Sequence, residues 1–125
     1  MDESKARAYA AAWTSGDPSA VAGFYSADGQ IVINRGTPSR GRAEIEAMAQ
    51  AFYDDFPDLI VHMDSFRRGG DHAVFKWTLE GHHSGTGNYV KASGWEEWDL
   101  NDAGEVQASL GWFDAADYQR QIDGN

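Results

Sequence analysis

Helical spacing of apolar residues marks the first part of the chain. In residues 3–14, Tyr9 and Trp13 share one stripe with two alanines, which predicts an amphipathic helix with both aromatics facing a core. Asp17 and Pro18 then suit the N-cap and first position of a second, short helix. Two further helices are predicted over residues 43–53 and 115–121.

The second helix leads into a short strand. We expect this helix to bury Phe24 and Tyr25. Asp28-Gly29 is a typical turn sequence, so a strand over residues 30–34 is predicted to follow it.

After Pro57 the apolar residues follow the alternating period of strands. Phe75, Trp77 and Leu79 alternate with polar residues, and glycine-rich turns separate the apolar segments. The predicted strands span residues 59–66, 73–83, 90–100 and 105–113.

This order of elements predicts the fold class. Helices followed by consecutive strands with tight turns indicate one α+β domain over residues 1–125, with an antiparallel sheet packed against helices. A curved sheet wrapped by helices tends to leave an apolar pocket; the alternative is that the same aromatics fill an ordinary core. The candidate lining residues are Trp13, Phe24, Ile31, Ile33, Met48, Phe52, Trp77 and Trp98.

The strand over residues 90–100 places one carboxylate on an apolar face. A buried ionised carboxylate must find hydrogen-bond donors or hold a proton, so Glu96 is a candidate for chemistry. The alternative is that Glu96 anchors the core through a backbone amide or a tyrosine. Its neighbours on this face are Val90, Ala92, Gly94, Trp98 and Leu100.

Composition narrows the class of protein further. A length of 125 residues with 42% hydrophobic residues suffices for one core. The net charge of −10 disfavours binding to nucleic acid or anionic membrane. The chain has no cysteine, and we see no apolar signal core or membrane-length apolar run. We therefore expect a cytosolic protein with no nucleic-acid or membrane partner.

Several short motifs, in their order and spacing over nearly the whole chain, resemble the nuclear transport factor 2-like superfamily and its SnoaL-like polyketide cyclase branch. The resemblance implies a cone-shaped, curved antiparallel sheet wrapped by N-terminal helices around a deep pocket for small apolar molecules. It also implies a homodimer. The motifs are Trp13-x-x-Gly16-Asp17, Phe24-Tyr25-x-x-Asp28, Gly41-Arg42-x-x-Ile45, Ser93-Gly94-x-Glu96-x-Trp98, Gly104-Glu105-Val106 and Phe113-Asp114.

Within this superfamily the chain is similar to ketosteroid isomerase at two positions. That enzyme uses a tyrosine and a protonated carboxylic acid to donate hydrogen bonds to a developing enolate oxygen. Matched from Gly16-Asp17, the tyrosine falls on Tyr9; matched through Trp98, the acid falls on Glu96. The resemblance thus implies an oxyanion-binding pair, with glutamate in place of aspartate.

The general bases of these relatives have no counterpart. The aspartate of the isomerase falls on Ile33, or on Asn34 after a one-residue slip, and that of the cyclases falls on Gly111. None of these residues can abstract a proton. His83, which continues a core-facing row of the second long strand, is a candidate base at the pocket mouth; the alternative is an exposed loop histidine.

Three functions remain open. One is a SnoaL-like enzyme of the lyase, isomerase or cyclase type, in which Tyr9 and Glu96 polarise a substrate carbonyl. The second is a non-catalytic binder or carrier of a small apolar ligand, and the third is a dimeric interaction module without a pocket. The retained pair favours the enzyme, while the missing base favours the binder. We expect no metal and no cofactor, because neither metal-ligand spacing nor a phosphate-binding loop is recognisable.

Overall fold

The computed structural model describes all 125 residues as an α+β fold with four helices and a six-stranded sheet, which confirms the predicted class. No helix is both long and apolar enough to cross a membrane. The helices are α1 (Glu3–Thr14), α2 (Pro18–Ala22), α3 (Gly41–Asp55) and α4 (Ala115–Asp123). The strands are β1 (Tyr25–Ile33), β2 (Ser39–Arg40), β3 (Ile60–Gly69), β4 (His72–His82), β5 (Tyr89–Leu100) and β6 (Val106–Phe113).

The sheet is curved, does not close, and has the strand order β2-β1-β6-β5-β4-β3. Strands β3 to β6 form antiparallel pairs in chain order, as predicted. The prediction of a wholly antiparallel sheet is wrong for one pair, because β1 runs parallel to β6. Helix α3 and four strands separate these two along the chain, which gives the connection that a parallel pair requires.

The first two helices begin as their sequences predict. The Asp2 carboxylate accepts a hydrogen bond from the backbone N–H of Lys5 at 2.8 Å and caps α1. The Asp17 carboxylate accepts from the backbone N–H of Ser19 at 3.0 Å, and Pro18 is the first residue of α2.

The region after α2 differs from the prediction. The helix ends at Ala22, and Asp28-Gly29 lies within β1 rather than in a turn before it. The pairing of β1 with β6 shifts register between Tyr25 and Gln30, so this segment forms an irregularity inside the strand. A Cβ on Gly29 would lie 2.8 Å from the Val106 carbonyl oxygen, which is why glycine is needed there. The buried Tyr25 therefore belongs to strand β1 and not to the predicted helix.

Aromatic side chains fill the core between the helices and the sheet. Helix α1 packs against β3, and α3 packs against β1. The Phe75 and Trp98 rings are stacked, with centroids 5.2 Å apart, and the Tyr9 ring meets Trp98 edge-on at 5.3 Å. This cluster fixes the position of β5, which carries Glu96.

One glycine of β5 permits a close approach to β6. A Cβ on Gly94 would lie 2.0 Å from the Trp112 carbonyl oxygen and 2.8 Å from Trp77 Cζ2. We expect Gly94→Ala to lower the free energy of unfolding by about 3 kcal/mol, because a backbone oxygen cannot rotate away. Urea denaturation would measure this change. Gly69→Ala is the matched control, since a Cβ there meets nothing within 4 Å; equal losses in both variants would contradict the prediction.

Candidate functional site

A cavity of about 60 Å³ lies between the helices and the sheet and is partly open to solvent. This volume corresponds to roughly four to six waters. Of its 14 lining residues 12 are hydrophobic, and Glu96 is the only charged one. The lining consists of Trp13, Ile31, Ile33, Met48, Phe52, Val61, Phe75, Trp77, Leu79, Ala92, Glu96, Gly111, Phe113 and Tyr118.

Two of the predicted lining residues lie outside the cavity. Phe24 instead packs edge-on against Tyr9, with ring centroids 5.4 Å apart. Trp98 is completely buried between Phe75 and Phe66. Alternation along β5 predicts which face Trp98 occupies, but the depth of the ring depends on the helices that cover it. The other predicted lining residues are found there: Trp13, Ile31, Ile33, Met48, Phe52 and Trp77. Gly111, the position matched to the aspartate of the cyclases, also lines the cavity.

Tyr9 and Glu96, the predicted pair, are in contact. The Tyr9 hydroxyl lies 3.2 Å from Glu96 Oε1 and 3.1 Å from Oε2. Tyr9 itself is completely buried and does not line the cavity. Tyr9 therefore holds Glu96 from the side away from the cavity, while Glu96 is the member of the pair that lines the cavity.

Three further donors hold the same carboxyl group. Tyr25 Oη, Trp98 Nε1 and Ser109 Oγ donate to Glu96 Oε1 at 3.0, 3.0 and 2.8 Å. The sequence pattern indicates this role for none of them. It predicts a helical position for Tyr25 and gives no role to Ser109, although β6 brings Ser109 opposite Trp98. Its position two residues before Gly111, on the same face of β6, is a signal that could have identified it.

The two oxygens of Glu96 thus have different surroundings. Oε1 accepts from four groups, whereas Oε2 accepts only from Tyr9, so Oε2 retains capacity for another hydrogen bond. No basic residue forms an ion pair with Glu96. Burial raises the pKa of Glu96 above 4.5, against the opposing effect of its hydrogen bonds.

Both phenols are neutral hydrogen-bonding groups. Burial, followed by the proximity of Glu96, raises the pKa values of Tyr9 and Tyr25 well above 10. Neither hydroxyl ionises at physiological pH, so neither serves as a base.

The candidate base His83 is not brought to this cavity. Strand β4 ends at His82, so the alternation that predicts a core-facing side chain stops one residue short. The His83 ring packs against Phe56 at 5.6 Å, and its Nδ1 accepts a hydrogen bond from the Thr86 N–H at 3.2 Å. No histidine and no second carboxylate line the cavity.

The positions that the resemblance matches to the general bases of the relatives are also without ionisable groups. Ile33 and Gly111 line the cavity, and the Asn34 amide oxygen accepts a hydrogen bond from the Phe113 N–H at 3.0 Å. No group of three or more histidine, aspartate or glutamate side chains is placed to hold a metal ion.

Solved structures similar to this chain share its fold. A hypothetical protein with a ketosteroid isomerase-like fold from Catenulispora acidiphila DSM 44928, in complex with trimethylamine, is 21% identical, with a TM-score of 0.89 over 98% of this chain and 95% of that one. A protein described as a SnoaL-like polyketide cyclase from Jannaschia sp. CCS1 is 16% identical, with a TM-score of 0.78 over 100% of this chain and 99% of that one. TerC, co-crystallised with polyporic acid, is 19% identical, with a TM-score of 0.79 over 93% of each chain.

Similarity at these identities establishes the nuclear transport factor 2-like fold and not the activity. No curated protein matches the chain in sequence. The family model for the SnoaL-like domain matches residues 6–108, which is most of the chain. The protein therefore belongs to the SnoaL-like domain family.

Proposed function

We propose that this protein is a lyase-, isomerase- or cyclase-type enzyme that binds a small apolar ketone and donates a hydrogen bond from neutral Glu96 to the ketone oxygen. The observation that carries the proposal is a single carboxyl group in an otherwise apolar cavity, with one oxygen still able to bond. A hydrogen bond to a carbonyl strengthens as negative charge develops on its oxygen, so it favours enolisation over simple binding.

A count of protons supports the neutral form of Glu96. Three oxygen pairs form a ring: Glu96 Oε2 to Tyr9 Oη at 3.1 Å, Tyr9 Oη to Tyr25 Oη at 2.9 Å, and Tyr25 Oη to Glu96 Oε1 at 3.0 Å. Each pair needs one proton, and the two phenols supply two. A proton on Oε2 completes the ring, whereas an ionised carboxylate would leave one pair without a proton.

A ketone oxygen would replace Tyr9 as the acceptor of the Oε2 proton. The Glu96 O–H bond would turn toward the cavity, and one hydrogen bond of the ring would be exchanged for the hydrogen bond to the ketone. Because no base lines the cavity, water or a basic group of the substrate would remove the α-proton.

The second candidate is a non-catalytic binder of a small amine. The similar protein from Catenulispora acidiphila is in complex with trimethylamine. Here the cavity is lined by rings such as Trp13, Phe52 and Trp77, whose faces attract an ammonium group. An amine would take the proton from Glu96 and form an ion pair, and the net charge of −10 would attract such a cation.

The protonation of Glu96 predicts a pH dependence of stability. Folding raises the pKa of Glu96 above 4.5. Above that pH the folded protein therefore holds more of the Glu96 proton than the unfolded chain does. We expect the unfolding free energy of the wild type, relative to Glu96→Gln, to fall as pH rises from about 4.5. The fall is about 1.4 kcal/mol per unit of pKa elevation. Urea denaturation across pH measures it.

The matched control is Glu97→Gln, on the opposite face of the same strand. Glu96→Ala should be less stable than Glu96→Gln by about 3 kcal/mol, because it leaves the Tyr25, Trp98 and Ser109 donors without their acceptor. A wild type that gains stability relative to Glu96→Gln as pH rises would show that Glu96 folds as a carboxylate.

Enolisation can be tested without knowing the natural substrate. We expect the protein to accelerate exchange of the α-protons of cyclohexanone in D₂O, followed by NMR, and Glu96→Gln to slow this exchange about tenfold or more. An amide is a weaker acid than a carboxyl group and stabilises the enolate oxygen less. Glu97→Gln should exchange at the wild-type rate.

The same variants separate the enzyme from the amine binder. Glu96→Gln retains a donor for cyclohexanone but cannot form an ion pair with trimethylamine. Absence of exchange in the wild type, together with loss of trimethylamine binding in Glu96→Gln, would overturn the enzyme in favour of the binder.

We further propose a cytosolic homodimer that uses the outer face of the sheet. Trp95 and Leu110 project from neighbouring strands on the side opposite Glu96 and are 40% and 43% exposed. Exposed apolar groups on a sheet face suit a protein interface. We expect Leu110→Glu to convert a dimer into a monomer in sedimentation velocity. Ala8→Glu adds the same charge to the exposed side of α1, away from the sheet, and is the control. A monomeric wild type would show the proposal to be wrong.

A further inference from the structure

Gly111 lies at the centre of the cavity wall. On β6 it is directly opposite Glu96 of β5 on one side and Ile33 of β1 on the other. All three residues line the cavity. The absence of a side chain at Gly111 therefore leaves space beside the only carboxyl group that faces a ligand.

The backbone does not require glycine at this position. Gly111 is not among the six glycines with positive φ, and it lies inside a regular strand, where glycine weakens the structure. Any residue can adopt its conformation.

Packing does not require glycine either. A Cβ at Gly111 would lie 3.6 Å from Ile33 Cγ1, 3.8 Å from the Val32 carbonyl oxygen and 3.9 Å from Glu96 Cγ, all ordinary contacts. At Gly94 on the neighbouring strand the same atom would lie 2.0 Å from a backbone oxygen. Gly94 serves the fold, whereas the fold gives no reason for glycine at 111.

We propose that Gly111 determines ligand specificity, by leaving room beside Glu96 for the carbon group attached to the ligand's acceptor atom. The proposal rests on the function proposed above. A ketone carries a carbon group on each side of its carbonyl carbon. When its oxygen accepts from Glu96, one of these groups fills the space between Ile33 and Glu96 that a side chain at 111 would occupy.

The test is the affinity for cyclohexanone, measured by NMR titration. We expect Gly111→Ala to raise the Kd about tenfold or more, since a methyl group would occupy the place of a ligand group. Its melting temperature should equal or exceed that of the wild type. Gly69→Ala, with open space around its Cβ and no part in the cavity, is the matched control and should bind as the wild type does.

A double-mutant cycle tests whether the added methyl acts by filling this space. Ile33→Ala removes the atom nearest to that methyl, so Gly111→Ala should raise the Kd much less in the Ile33→Ala variant than in the wild type. Wild-type affinity in Gly111→Ala, or a melting temperature lowered well below that of Gly69→Ala, would overturn the proposal.

The same experiments distinguish an error in the role of Gly111 from an error in the proposed function. If Glu96→Gln stops α-proton exchange while Gly111→Ala binds cyclohexanone normally, the Gly111 proposal is wrong and the function stands. If Gly111→Ala loses binding while Glu96→Gln exchanges at the wild-type rate, Gly111 sets specificity and the carbonyl-polarising function is wrong.

Discussion

The burial of one carboxyl group is the constraint on which this structure depends. Four side chains from different elements form hydrogen bonds with Glu96: Tyr9 from α1, Tyr25 from β1, Trp98 from β5 and Ser109 from β6. A carboxyl group in an apolar interior is stable only with such partners or with a proton. The same network therefore joins the first helix and first strand to the sheet and sets the chemistry of the cavity.

This network separates the groups that hold Glu96 from the surface of the cavity. Tyr9 is buried behind the carboxyl group and does not line the cavity, whereas Glu96 does and is its only carboxylic acid. Ile33 and Gly111 add apolar surface and open space beside it. Membership of the SnoaL-like family fixes the fold, whereas the activity depends on the residues of the site.

Much of the fold follows from local patterns. Helical and alternating periods identify α1, α3 and the four long strands, because each period reflects the face that the element buries. The exceptions arose where contacts between distant segments decide the outcome. Asp28-Gly29 has the sequence of a turn but lies in β1, because Gly29 packs against the backbone of Val106. The parallel pairing of β1 with β6 has no local signal at all.

Local periodicity is enough to place Glu96 on an apolar strand face and Tyr9 toward the core, because these positions follow from periods of two and 3.6 residues. The depth of each side chain and its distance from the others follow instead from the packing of whole elements. This packing brings Tyr9 and Tyr25 to Glu96, from which they are 87 and 71 residues away in the sequence. It places His83 in the loop that follows β4. A local period specifies a direction, whereas the distance between two side chains depends on how whole elements pack.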